Sequence, residues 1–158
     1  MKLFRLALVA LAMVLAQPVI AQEKAADSNM EILRQKIKAD KKLVVAANMQ
    51  LTEAEAKKFW PVYEAYQQDL QKLNKRLGQL IVDYAQAYNK GPVPDATAKT
   101  LLNEALAIED AEVKLKRSYV PKLEKALPEM KIARYIQIEN KIRAVINYEL
   151  AAKIPLVE

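Results

Sequence analysis

Phe59, Tyr63, Tyr66, Leu70, Leu73, Leu77, Leu80 and Tyr84 recur at alternating steps of four and three residues. A 3.5-residue period held for more than three heptads is the pattern of a helix packing its seam along another helix. A strand cannot satisfy it, because strand side chains alternate with a period of two. Thr52 with Glu55 forms a capping-box pattern ahead of the run, and Asn89-Lys90-Gly91-Pro92-Val93-Pro94 stops it. The spacing predicts a helix over 52–89, about 57 Å long at 1.5 Å per residue.

Three further helices follow from the same reasoning. Ser28 with Glu31 is another capping-box pattern, and Met30, Leu33, Ile37 and Val44 mark an apolar stripe, so a helix is expected over 28–48. A helix over 95–126, capped by Asp95, carries a broad apolar face: Leu101, Leu102, Ala105, Leu106, Ile108, Val113, Leu115, Tyr119, Val120 and Leu123. Pro128 stands near the first turn of a fourth helix, where proline is tolerated. Ile132, Tyr135, Ile136, Ile138, Ile142, Val145, Ile146 and Leu150 give that helix apolar residues on more than one side, and Pro155 closes the chain. The expected fold is all-α: a long antiparallel helical hairpin flanked by an N-terminal and a C-terminal helix.

Pro61 falls inside the second helix and Pro121 inside the third. Each removes an amide donor and crowds the preceding turn. In a hairpin turning at Gly91 the two prolines lie level, and Tyr63 and Tyr119 become neighbours. The expectation is a shared bend; the alternative is that each proline splits its arm.

Composition limits the chemistry. The chain has no histidine, no cysteine and two glycines. Thiolate nucleophiles, imidazole bases, His/Cys zinc sites and Gly-rich phosphate loops are therefore excluded. Glu109, Asp110 and Glu112 form the one tight acidic cluster. One helix points the three in different directions, so ion pairs with Lys114, Lys116 or Arg76 are expected in place of a calcium site. No catalytic residue, cofactor site or metal site is assigned, and the chain does not read as an enzyme.

Lys2 and Arg5 precede an uninterrupted apolar run from Leu6 to Ala16, and Val19-Ile20-Ala21 offers a signal-peptidase site. This is the layout of a secretory signal peptide over 1–21, followed by one domain over 22–158. The apolar run is too short to span a bilayer, which takes about 20 residues. Cleavage removes two bases and no acid, lowering the net charge from +6 to +4. The expected location is the periplasm, where nucleic acid is not a partner. Weak contact with anionic membrane lipid is compatible with the remaining charge, and would fade with salt.

The chain also repeats itself. Leu51-Thr52-Glu53 through Phe59 and Leu127-Pro128-Glu129 through Tyr135 both read Leu, Thr or Pro, Glu, a base seven residues after the leucine, and an aromatic eight after it. Each stands at an expected helix start. Capping explains the polar positions, but it requires neither the leucine nor the aromatic. In order and spacing this resembles the paired Leu-Thr-x-x-Gln motifs of the Spy/CpxP family of bacterial periplasmic proteins. The likeness covers about 28–150. It departs at the glutamine, with Glu55 in one copy and Lys131 in the other, and at Pro128 in place of threonine. The resemblance implies a curved helical hairpin that often dimerises, ATP-independent binding of unfolded proteins, or an accessory role in envelope-stress sensing. Metal binding by His-rich relatives does not carry over to a chain without histidine.

Phe59, Tyr63 and Tyr66 obey the seam period and are expected to fill the hairpin, whereas Trp60 lies off it. Trp60, Arg76, Lys114, Lys116, Arg117 and Lys122 are the candidate partner surface, charge attracting a chain before apolar burial holds it. Leu51, Thr52, Glu55, Leu127, Pro128 and Glu129 are expected to shape the two helix starts. The leading expectation is chaperone-like binding of non-native envelope proteins. The alternative is an envelope-stress adaptor that binds one folded partner.

Overall fold

The computed structural model describes residues 40–157. The expected signal peptide and the Ser28–Glu31 capping box lie outside the described residues. Among those residues there are four helices and no strand: α1, described over 40–49, α2 (Glu53–Tyr88), α3 (Asp95–Glu124) and α4 (Glu129–Lys153). The all-α hairpin with flanking helices is thus the observed fold. Val45–Glu158 forms one compact unit, described below.

The start of α2 is made as its sequence predicts. Thr52 is extended, its hydroxyl accepts from the Glu55 N–H at 3.3 Å, and Glu55 Oε2 accepts from the Thr52 N–H at 2.8 Å. Two amides that an isolated helix leaves bare are thereby satisfied. The other two starts differ from expectation. Pro94, not Asp95, is the N-cap of α3, and no side chain caps it. Asp95 is the first helical residue, where its charge complements the positive end of the helix dipole. Pro128 likewise takes the N-cap of α4 in extended backbone, φ −65° and ψ 152°, one step earlier than the first turn.

Both internal prolines are carried within unbroken helices. The carbonyls they leave without a donor belong to Lys57 and Arg117, four residues back on the same face. Pro61, Pro121, Lys57 and Arg117 are all exposed. Solvent can reach those carbonyls, so neither helix has to break. The split-arm alternative is therefore excluded.

The hairpin turns through Gly91 at φ +122°, a backbone region that suits a residue without Cβ, and Val93 buries itself beneath the turn. Cross-hairpin pairs Arg76–Glu104 and Tyr66–Tyr119 confirm the antiparallel fold-back. Tyr119 meets Tyr66 edge to face, one turn beyond the expected Tyr63. α4 returns parallel to α2, as the contacts Phe59–Tyr135, Gln67–Glu139 and Tyr84–Pro155 require.

The core sits at the end of the hairpin away from its turn. Phe59, Tyr63, Tyr66 and Leu70 of α2 meet Tyr119 and Leu123 of α3, Ile132 and Tyr135 of α4, and Val45 and Met49 of α1. The inward face of α1 is therefore set by Val45 and Met49, while Val44 is exposed, one position away from the expected stripe. Tyr135 is the hub, with rings of Phe59, Tyr63 and Tyr66 at 5.1, 6.1 and 6.1 Å in edge-to-face orientation. Aromatic quadrupoles favour that arrangement over flat stacking. Beyond Leu70 the seam continues through Leu73, Leu77, Leu80 and Tyr84, but each of these is only half-buried.

Candidate functional site

The two copies of the internal repeat lie against each other. Leu127 is buried in the core and Leu51 packs on it, while the aromatics eight residues later, Phe59 and Tyr135, meet edge to face. At the two positions that depart from glutamine, Lys131 forms an ion pair with Glu55 and also donates to the Gln50 carbonyl at 2.9 Å. The Lys131 ammonium, donating to Glu55, is the main reason that carboxyl is held below the usual glutamate range, with the Thr52 amide adding to it. Gln50 adopts φ 49°, an uncommon conformation for a side-chain-bearing residue, right after α1. The motif residues thus fasten the starts of α2 and α4 together. Glu129 and Pro128 remain exposed at the α4 start.

A polar junction that the motifs do not announce links the three hairpin-side helices. Glu139 is 3% exposed and accepts from Gln67 Nε2 at 2.9 Å; the same nitrogen donates to the Tyr135 hydroxyl at 3.3 Å. Beside it, Arg143 donates to Glu112 at 3.1 Å and to Asn74 at 3.0 Å, while Lys116 reaches Glu112 and Asn140, each at 3.0 Å. Paired and hydrogen-bonded charges are the form in which burial is tolerated. The Tyr66 hydroxyl is buried nearby with no hydrogen-bond partner among the described residues. Burial, chiefly, and the Glu139 and Glu112 charges push its ionisation up.

The candidate partner residues do not form one patch. Trp60 is half-buried and packs edge-on against Phe59 and Tyr63, so it belongs to the aromatic core's margin. Lys116 faces the polar junction. Arg76 is held bidentate by Glu104 across the hairpin at 3.0 and 3.1 Å, and not by the Glu109–Glu112 cluster; that bond raises its pKa further. Lys122 lies 4.0 Å from the Tyr119 ring centroid. The Tyr119 hydroxyl donates to Asp69 at 2.7 Å, and burial, then that bond, pushes it up to about 12. Lys114, paired with Asp110 at 3.0 Å, and Arg117 remain on the outside. Glu109, Asp110 and Glu112 diverge, and no metal-binding cluster occurs among the described residues.

What lies open is apolar. The broad face expected on α3 is only partly covered: Ile108, Tyr119 and Leu123 are buried, but Leu102, Leu106 and Val113 are 59%, 54% and 49% exposed. Steps of four and seven put those three on one helical face. On α4, all six residues of 144–149 are exposed, more than a full turn, including Val145, Ile146 and Tyr148. At the far half of the hairpin, α2 and α3 leave an apolar groove of about 360 Å³. Sequence periodicity named Leu77, Leu80 and Tyr84 as seam residues but could not show that nothing fully covers them.

Charge on α3 is divided along its length. Residues 95–112 hold five acids and one lysine, while 113–125 hold five bases and one acid. The division opposes the helix dipole and so favours the helix. It also leaves the exposed leucines on acidic ground and Val113 at the change of sign. No described helix is long and apolar enough to cross a membrane. Comparison with protein-family models, curated proteins and solved structures finds no match to this chain.

Proposed function

We propose that this chain binds non-native segments of envelope proteins in the periplasm, as a Spy/CpxP-like chaperone that uses neither ATP nor cofactor and catalyses nothing. The observation that carries the reading is the open α3 face. Single exposed hydrophobics are ordinary, but Leu102, Leu106 and Val113 share a face and are followed by Lys114 and Arg117. A chain drawn in by charge finds apolar surface beside it, and weak, sequence-tolerant burial follows. The periplasmic location rests on the sequence pattern of residues 1–21. The divided charge also fits a second copy laid antiparallel along α3, acidic half against basic half, so a homodimer is part of the proposal.

The test is aggregation of an unfolded model substrate at a stoichiometric ratio of purified chain, without ATP. Suppression by the wild type, weakened in Leu106→Ser/Val113→Ser, is expected. Unchanged aggregation, together with capture of one folded envelope protein in stoichiometric amount, would replace this reading with the adaptor.

A further inference from the structure

The groove between the far halves of α2 and α3 is walled by Leu77, Leu80, Ile81 and Tyr84 on one side and Leu101 and Ala105 on the other. Its remaining wall is formed by residues 154–157 of the same chain. α4 stops at Lys153 because Pro155 supplies no amide and forces extended backbone on Ile154, which has φ −90° and ψ 116°. Ile154-Pro155-Leu156-Val157 then lines the groove as a non-helical apolar segment, and the Tyr84 hydroxyl donates to the Pro155 carbonyl at 2.9 Å.

This seating is shallow. Leu156 is 87% and Val157 57% exposed, so the tail covers the groove without contributing a core of its own. The contact combines one hydrogen bond donated by Tyr84 to a backbone carbonyl, which any residue can present, with apolar side chains against aliphatic walls. Nothing in that chemistry is particular to this tail. Any extended apolar stretch presenting a carbonyl to Tyr84 satisfies it equally, and such stretches are what a non-native protein exposes.

We propose that the distal groove is a binding site for extended apolar segments of other chains, and that Ile154–Val157 is its internal competitor. The tail is a strap that a client must displace. This deepens the proposed function and rests on it. A tethered occupant acts at high effective concentration, so even weak seating holds the groove most of the time. An occupancy of about nine-tenths weakens an external ligand about tenfold.

The experiment uses the full chain and a fluorescein-labelled peptide with the sequence of residues 151–158, followed by anisotropy. Ile154→Ser/Leu156→Ser loosens the strap without touching the α2 and α3 walls of the groove, and is expected to tighten peptide binding about tenfold, as full removal of that occupancy implies. Leu80→Glu places a charge in the groove and is expected to abolish binding; circular dichroism confirms that both variants keep their helices. Equal or weaker binding by the strap variant overturns the strap, and undiminished binding by Leu80→Glu overturns the groove. Aggregation of an unfolded substrate is read on the same proteins. Suppression that persists unaltered in both variants overturns this inference and leaves the proposed function standing. Tighter peptide binding with no suppression by any of them supports the groove and overturns the proposed function.

Discussion

The two ends of the hairpin are built from one continuous seam and yet have opposite characters. At the base, Phe59, Tyr63, Tyr66 and Leu70 are closed over by three other helices, with charges and amides cross-linked around them. Toward the turn, Leu77, Leu80 and Tyr84 keep the same spacing but line an open groove that α3 and residues 154–157 only partly cover. The seam period is therefore necessary for burial but does not guarantee it. Burial depends on how many elements arrive at a given level. The base is closely packed, and the far half presents apolar surface that the fold covers only in part.

Alkaline pH should produce the largest contrast. Tyr63, Tyr66, Tyr119 and Tyr135 have their ionisation pushed up by burial, and all four lie in the base. A raised tyrosine pKa means that the folded state favours the neutral form. Its contribution is complete below the ordinary value of 10.0 and is lost as pH climbs through that value toward the raised ones. Helicity should fall above about pH 10 together with tyrosinate absorbance. Helicity that survives complete ionisation would break the claim that the base holds the fold.

Truncation should separate the ends next. Phe59→Ala is expected to cost about 3–5 kcal/mol. Leu80→Ala, at a half-buried position, is expected to cost under about 1.5 kcal/mol, below the range for fully buried leucines. Chemical denaturation with an unchanged slope reads both. Equal costs would mean that the two halves are packed alike. Thr52→Ala, which removes the cap of α2, is expected to cost about 1 kcal/mol. Tyr66→Phe is the smallest effect: removing a buried hydroxyl that has no partner should be neutral or stabilising by up to about 1 kcal/mol. A clear loss would mean that the hydroxyl has a role the geometry does not reveal.

The base was also the more legible end. Capping at Thr52 and Glu55 is local chemistry, complete within four residues, and it is formed as read. The repeat located both helix starts, because Leu51, Phe59, Leu127 and Tyr135 carry information beyond capping. The Glu55–Lys131 pair was visible only as two departures from glutamine; that they answer each other needs the parallel placement of α2 and α4. Glu139 was invisible because its burial is permitted by Gln67, 72 positions away. Exposure at Leu102, Leu106 and Val113 was equally hidden, since periodicity reports that a face is apolar but not what covers it. Asp95 was misplaced by one residue because Pro94 takes the extended cap backbone without offering an acceptor.

Under the proposed function, other chains are held by the apolar surface of the far half and the open α3 face, and not by the aromatic base. Site-specific photocrosslinking to an unfolded substrate tests it, with the reactive group placed in turn at Leu106, at Val113 and at the exposed base residue Lys58. Crosslinks at Leu106 and Val113 with little or none at Lys58 are the result expected. Crosslinking concentrated at Lys58, with Leu106 and Val113 silent, would contradict it.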